Sequence, residues 1–176
     1  SILNKLSDSN MMDMYDELTR LDIQTKPQLE KLVELLFSKA ISESKYIAMY
    51  AKLTKMLASF SITEDDVQIQ FKPLLINKCQ YMFNYGVSLD KDLSTSPDEV
   101  YKFKEHVLGC VEYIGELYNH DLLTNKIVMG CFTLLFSKSI KQPYTVDILC
   151  TLMKTVGKKF IRQCPTDTNN CLQKMD

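Results

Sequence analysis

The chain has 176 residues, 45% of them hydrophobic and 24% charged, with 5 Gly, 5 Pro and no Trp. That length is one domain, able to bury about two-thirds of its unfolded surface in a single core. The composition excludes collagenous, mucin-like and disordered chains and, being poor in Gly and Pro, favours helix. Lys+Arg number 21 against 22 Asp+Glu, so a net charge of −1 selects no partner class.

No stretch approaches 18 uncharged apolar residues, and Ser1 opens no signal-peptide pattern, so no membrane span is expected. An opening Ser-Ile-Leu without Met suggests a piece of a longer protein, or processing of the first residue. Cys79, Cys110, Cys131, Cys150, Cys164 and Cys171 contain no C-x-x-C pair, and the first four lie in apolar helical patterns. They read as small buried thiols in a reducing compartment, and a cytoplasmic location is expected.

Along the chain the main signal is helical periodicity. Between 28 and 41, Leu29, Leu32, Val33, Leu36, Phe37 and Ala40 form one stripe of about four turns. Thr25 and Gln28 have the spacing of a capping box at its start. Tyr46, Met49, Tyr50, Leu53, Leu57 and Phe60 make the next stripe. Thr63 and the acidic run Glu64-Asp65-Asp66 suit a helix N-terminus, ahead of Phe71, Leu74, Leu75, Cys79 and Met82. Residues 86–96 read as the longest loop. Ser96, Pro97 and Glu99 then form a strong start signal, and Val100, Phe103, Val107, Cys110, Ile114 and Leu117 carry one face for about six turns. Two further helices fit 125–139, after a Thr124 cap, and 146–160, after Pro143-Tyr144-Thr145. Strand alternation is not evident anywhere. Phe37, Leu53, Leu75, Ile114, Leu135 and Met153 are expected in the core.

Short connections make successive helices antiparallel neighbours, and the pairs recur at the spacing of HEAT or armadillo repeats. One echo supports a repeat: Leu-Leu-Phe-Ser-Lys-Ala-Ile at 35–41 returns as Leu-Leu-Phe-Ser-Lys-Ser-Ile at 134–140. The expected fold is all-α, about eight helices in antiparallel hairpins stacked as a solenoid, which offers extended surface in place of a closed pocket.

Reactive constellations are weak. His106 and Cys110 lie four apart, but Cys110 belongs to the buried stripe, where a thiol is inert. The histidines and cysteines match no zinc spacing, and neither a P-loop nor a G-x-G-x-x-G is present. Glu112 and Glu116 share a helix face, as solvated acids often do. The chain is therefore read as a non-enzyme with no catalytic residue, no metal and no cofactor. Its charge is polarised: residues 1–125 carry −6 and residues 126–176 carry +5. Lys138, Lys141, Lys154, Lys158, Lys159 and Arg162 crowd the ends of the last two helices, where they can neutralise RNA phosphates weakly and without sequence preference. Equally, such residues can serve only to complement helix dipoles.

Five segments, in order, resemble the middle HEAT domain of eukaryotic translation initiation factor 4-gamma and its relatives. They are Ile-Leu-Asn-Lys-Leu at 2–6, Tyr-Ile-Ala-Met-Tyr-Ala-Lys-Leu at 46–53, and Leu-Leu-Ile-Asn-Lys-Cys-Gln at 74–80. Gly-Cys-Val-Glu-Tyr-Ile-Gly-Glu-Leu at 109–117 and Leu-Cys-Thr-Leu-Met-Lys-Thr-Val-Gly-Lys at 149–158 complete the run. The resemblance implies a right-handed HEAT superhelix over residues 1–176 with its last hairpin incomplete. It further implies a monomeric scaffold that binds the DEAD-box RNA helicase initiation factor 4A and stimulates it, contacts RNA, and in many relatives contacts the initiation factor 3 complex. Carried onto this sequence, the helicase surface comprises Asn4, Lys5, Asn77, Lys78, Gln80 and Glu116. Gly115 is expected to allow close helix packing. The alternatives are a related regulator, a poly(A)-binding-protein-interacting or mRNA-decay factor, or a generic helical-repeat interaction module.

Overall fold

The structure is a computed structural model and describes residues 6–88, 96–137 and 143–166. Seven α-helices and one β-hairpin account for most of them: α1 (Met11–Thr19), α2 (Lys26–Ser42), α3 (Ile47–Met56), the strands β1 (Ser61–Glu64) and β2 (Val67–Gln70), α4 (Phe71–Ser88), α5 (Pro97–Asn119), α6 (Asn125–Ser137) and α7 (Pro143–Gln163). The helix starts follow local chemistry. At α2 the Thr25 N–H donates to the Gln28 side chain at 3.1 Å. At α5 the Ser96 N–H donates to the Glu99 carboxylate at 3.2 Å, and the Ser96 hydroxyl accepts from the Glu99 N–H at 3.4 Å. Each closes an N-terminus whose backbone donors have no partner within the helix.

Packing arranges the helices in two layers. Helix α3 packs on α5 and α5 on α7, while α2 packs on α4 and α6 bridges α5 and α7. Alternate helices therefore stack, as in a HEAT-like helical repeat, and α5 occupies the centre. This central place explains why α5 buries Val107, Cys110, Ile114 and Leu117 on one side and Val111, Tyr113 and Tyr118 on others. Tyr113 is completely enclosed, edge-on to Phe37 with centroids 5.3 Å apart. Thr54 donates to the Tyr50 carbonyl at 2.7 Å, so its single hydroxyl proton is used, and the Tyr113 hydroxyl donates to Thr54 Oγ1 at 2.6 Å. The polar atoms in this part of the core are thereby satisfied without water. Gly115 is required at the α5–α7 contact: a Cβ there would lie 2.6 Å from Thr155 Cγ2.

The hairpin corrects the expectation of helix throughout. Ser61 pairs with Gln70 and Glu64 with Val67, and the turn residues Asp65 and Asp66 have φ of 49° and 62°. Two consecutive left-handed residues form the turn that matches the twist of a two-residue hairpin. The acidic run thus does not start α4. Glu64 does meet a helix N-terminus, but that of α2, where its carboxylate accepts the Lys26 N–H at 2.8 Å.

Other expectations shift by smaller amounts. Phe37, Leu53, Leu75, Ile114 and Leu135 are buried, whereas Met153 is only partly so, because Leu149, Leu152, Val156 and Phe160 form the inner stripe of α7. That phase turns Cys150 outward; Cys79, Cys110 and Cys131 are buried. Tyr46 is exposed and sits in a 3₁₀ turn before α3. Residues 86–88 continue α4, and the rest of the expected loop up to residue 95 lies outside the described residues. Helix α7 begins at Pro143, three residues ahead of the expected start. In the repeated segments Leu36 and Leu135 are buried and Ser38 and Ser137 exposed, so the echo keeps its phase as far as residue 137.

Candidate functional site

Two surfaces carry the expected partner residues. The first is a shallow depression of about 440 Å³ where α2 meets α4, walled by Lys26, Glu30, Lys31, Glu34, Asn77 and Lys78. Its charges compensate in pairs along α2, Lys26 with Glu30 at 3.7 Å and Lys31 with Glu34 at 3.3 Å. Lys78 has no carboxylate partner among the described residues; its ammonium lies 5.9 Å from the centre of the Tyr81 ring. Asn77 is exposed beside it.

Of the other expected helicase residues, the two that are described, Gln80 and Glu116, are not gathered there. Gln80 is on the opposite flank of α4, at the rim of a largely apolar groove of about 350 Å³ between α4 and α6, near Lys126 and Gly130. Glu116 is half-buried on α5, accepting from Asn119 Nδ2 at 3.2 Å. Burial, reinforced by the Glu116 charge, raises the neighbouring Glu112 carboxyl above its ordinary range. Asn4 and Lys5 lie outside the described residues. Sequence reasoning missed Tyr81 and Tyr85, which are exposed on the Lys78 flank of α4 with parallel rings 6.3 Å apart. Their signal was present: both are large aromatics off the apolar stripe of a helix, beside the Asn-Lys-Cys-Gln segment.

The second surface is the outer side of α7. Lys154, Lys158 and Arg162 are exposed and four apart, so they form one basic stripe. Lys138 and Lys141 lie outside the described residues. Lys159, expected to be exposed with them, turns inward instead. Helix α5 ends with Asp121 in the left-handed region (φ 62°), the Asp121 N–H on Tyr118 O at 3.0 Å and the Leu122 N–H on Leu117 O at 2.9 Å, a Schellman closure. Lys159 Nζ crosses from α7 onto this end, donating to Tyr118 O at 2.7 Å, Asn119 O at 3.3 Å and Asp121 Oδ1 at 2.5 Å. Its ammonium also lies 4.7 Å from the centre of the Tyr118 ring. The hydrogen bond and charge of Lys159 hold the Asp121 carboxyl below its usual pKa. Lys159 is thus a dipole complement, though for a neighbouring helix and not its own.

The one Cys–His pair that the sequence offered can be judged by its burial. Burial pushes the Cys110 thiol up to about 12, so it carries no thiolate near neutral pH for His106 to partner. Among the described residues no three His, Cys, Asp or Glu side chains are placed to share a metal ion, and no helix is long and apolar enough to cross a membrane.

Comparison with known proteins agrees with this architecture. The family model of the MIF4G domain matches residues 1–176. Eukaryotic translation initiation factor 4 gamma 1 of Mus musculus is 28% identical over 90% of the chain and 11% of its own length. Eukaryotic translation initiation factor 4G of Arabidopsis thaliana is 30% identical over 89% of the chain and 10% of its own length. The chain thus spans about a tenth of these relatives. In three dimensions, the MIF4G domain of Trypanosoma cruzi translation initiation factor EIF4G5 superposes with a TM-score of 0.68 at 20% identity, covering 99% of this chain and 83% of that one. This chain belongs to the MIF4G family, the HEAT-like middle domain of initiation factor 4G.

Proposed function

We propose that the chain is a scaffold of translation initiation that binds the DEAD-box RNA helicase initiation factor 4A through the α2–α4 surface and raises its ATPase without hydrolysing ATP itself. The observation that carries this is membership of the MIF4G family together with the open depression beside Asn77 and Lys78. A rigid stack touching two mobile helicase lobes shifts their relative population by contacting one arrangement better than another, and needs no chemistry of its own. Translation partners place such a scaffold in the cytoplasm.

A titration of the chain into intact helicase, and into each of its lobes, tests the reading. Saturable binding and a faster ATPase are expected; no binding of intact helicase or of either lobe overturns it. Reversal of Lys78 to Glu is expected to weaken the complex.

RNA is the second proposed partner, on the stripe of Lys154, Lys158 and Arg162. Three phosphate contacts give a logarithmic salt slope of about −2 on a single strand. Reversing those three residues to Glu is expected to abolish RNA binding with the melting temperature retained. Lys159 is left out because it is a structural contact. Unchanged affinity in the triple variant removes RNA from this face.

A further inference from the structure

Two aromatic side chains on α4 stay largely exposed, outside the apolar core. Tyr81 is 63% and Tyr85 49% exposed, and their rings are nearly parallel at 10°. Tyr85 then meets Phe103 of α5 edge-on at 6.2 Å, which extends the pair as a row across to the next helix. Scattered surface apolar residues are ordinary, but Tyr81 and Tyr85 form an exposed stacked pair whose inner end meets Phe103, itself half-buried against the core.

The row adjoins the α2–α4 depression through Lys78, whose ammonium lies over the Tyr81 ring. The depression's other charges are paired with one another, so among the described residues the charge left uncompensated there is positive. Aromatic residues ringed by polar groups of both signs are the composition of a protein–protein interface centre. A single-strand RNA platform needs a positive groove that follows the phosphates, and here Glu30 and Glu34 line the depression.

We infer that Tyr81 and Tyr85 are the anchor of the partner surface, docking a protein patch that presents an apolar side chain over the two rings and a carboxylate to Lys78. The inference rests on the helicase reading above and names the part of the surface that holds the helicase.

The test compares the chain with its Tyr81→Ala/Tyr85→Ala variant in the same helicase titration. Both residues are exposed on a helix that tolerates Ala, so circular dichroism and melting should be unchanged. Helicase affinity should fall by about tenfold or more, as for truncated aromatic anchors. Tyr81→Phe/Tyr85→Phe should retain binding, because the rings and not the hydroxyls make the contact. Tyr101→Ala, 65% exposed but outside the row, should also retain it. Wild-type binding with an unaffected double Ala variant overturns this inference and leaves the helicase reading standing. Absence of wild-type binding overturns both. A fall in RNA affinity with helicase affinity unchanged overturns it in favour of a stacking platform for RNA.

Discussion

Among the described residues Lys78, Lys104 and Lys159 each lie against a tyrosine ring, and two of them, Lys159 and Lys78, have opposite consequences. Lys159 sits over Tyr118 with two backbone carbonyls and the Asp121 carboxylate as acceptors. Lys78 sits over Tyr81 with no carboxylate partner among the described residues. The first closes the α5–α7 seam, where Gly115 lets the helices approach and Asn119 Nδ2 donates to the Thr155 carbonyl at 3.0 Å. The second borders the α2–α4 depression, where charge and aromatic surface remain at the surface. A lysine over a tyrosine ring therefore carries no fixed meaning. What decides between a staple and a partner site is whether the acceptors are already supplied by the fold.

The strongest way to break the contrast is to unpack the seam. Phe160 is buried against Phe132 at 5.5 Å and Tyr118 at 6.4 Å between ring centroids. Phe160→Ala should cost about 3–5 kcal/mol through lost burial and the cavity left behind, read by urea unfolding. Tyr85→Ala, which removes a ring of the same size from the open surface, should stay within about 0.5 kcal/mol of the parent. Similar losses from both variants would show that the α4 row is part of the core.

Next in size is the staple itself. Lys159→Met keeps the aliphatic stem over Tyr118 and removes only the donors. Hydrogen bonds from a charged group contribute about 1.5–3 kcal/mol, and the Lys159 side chain is only 20% exposed, so a loss in that range is expected. A neutral result would make the three acceptors equally well served by water.

The two surfaces were unequally legible in the sequence. Helices and their inward faces follow from apolar spacing and caps, which are local, and so α2 and α5 match their expected stripes and starts. The hairpin was hidden because Asp65-Asp66 is an uncommon pair for a turn needing two left-handed residues, and the same acids also suit a helix start. What Glu64 caps is a helix 38 residues earlier in the chain, which no local pattern encodes. Lys159 presents the same difficulty. It stands in one sequence cluster with Lys158 and Arg162, and only the approach of α5, some 40 residues earlier in the chain, separates the staple from the exposed stripe. Along α7 the phase error at Met153 and Cys150 has a plainer cause. Helix α7 packs on α5 and α6 together, so its buried face is set by two neighbours and not by the longest apolar run.

A smaller effect should appear with pH. Lys159, first through its hydrogen bond and then through its charge, holds the Asp121 carboxyl below its ordinary value. A carboxyl depressed in the folded state gives stability that is present above the unfolded pKa of about 3.9 and is lost as pH falls through the lower folded value. Asp121→Asn keeps a residue that tolerates the left-handed backbone but removes the charge. The wild type should therefore lose its advantage over this variant between about pH 5 and the acid limit of folding. Because Asp121 is at the surface, the same advantage should shrink in high salt. Parallel melting curves of the two proteins across that range would show that the carboxylate contributes nothing.

The smallest stability change is expected at Lys78, and there the comparison is sharpest. Lys78→Met removes a charge that has no carboxylate partner among the described residues, and its contact with the Tyr81 ring is long, at 5.9 Å. Lys78 is half-buried, but at this distance a cation over a ring contributes only about 0.5–1 kcal/mol, and methionine retains packing against the same ring, so the melting temperature should hardly move. Salt titration separates the two lysines further: the part of the Lys159 contribution made to the Tyr118 and Asn119 carbonyls should persist in high salt, whereas the field of a lysine without such acceptors is screened over about 10 Å at 0.1 M. If Lys78→Met instead destabilises the chain as much as Lys159→Met, then Lys78 is also a staple, and the α2–α4 surface loses its uncompensated charge as a reason to expect a partner.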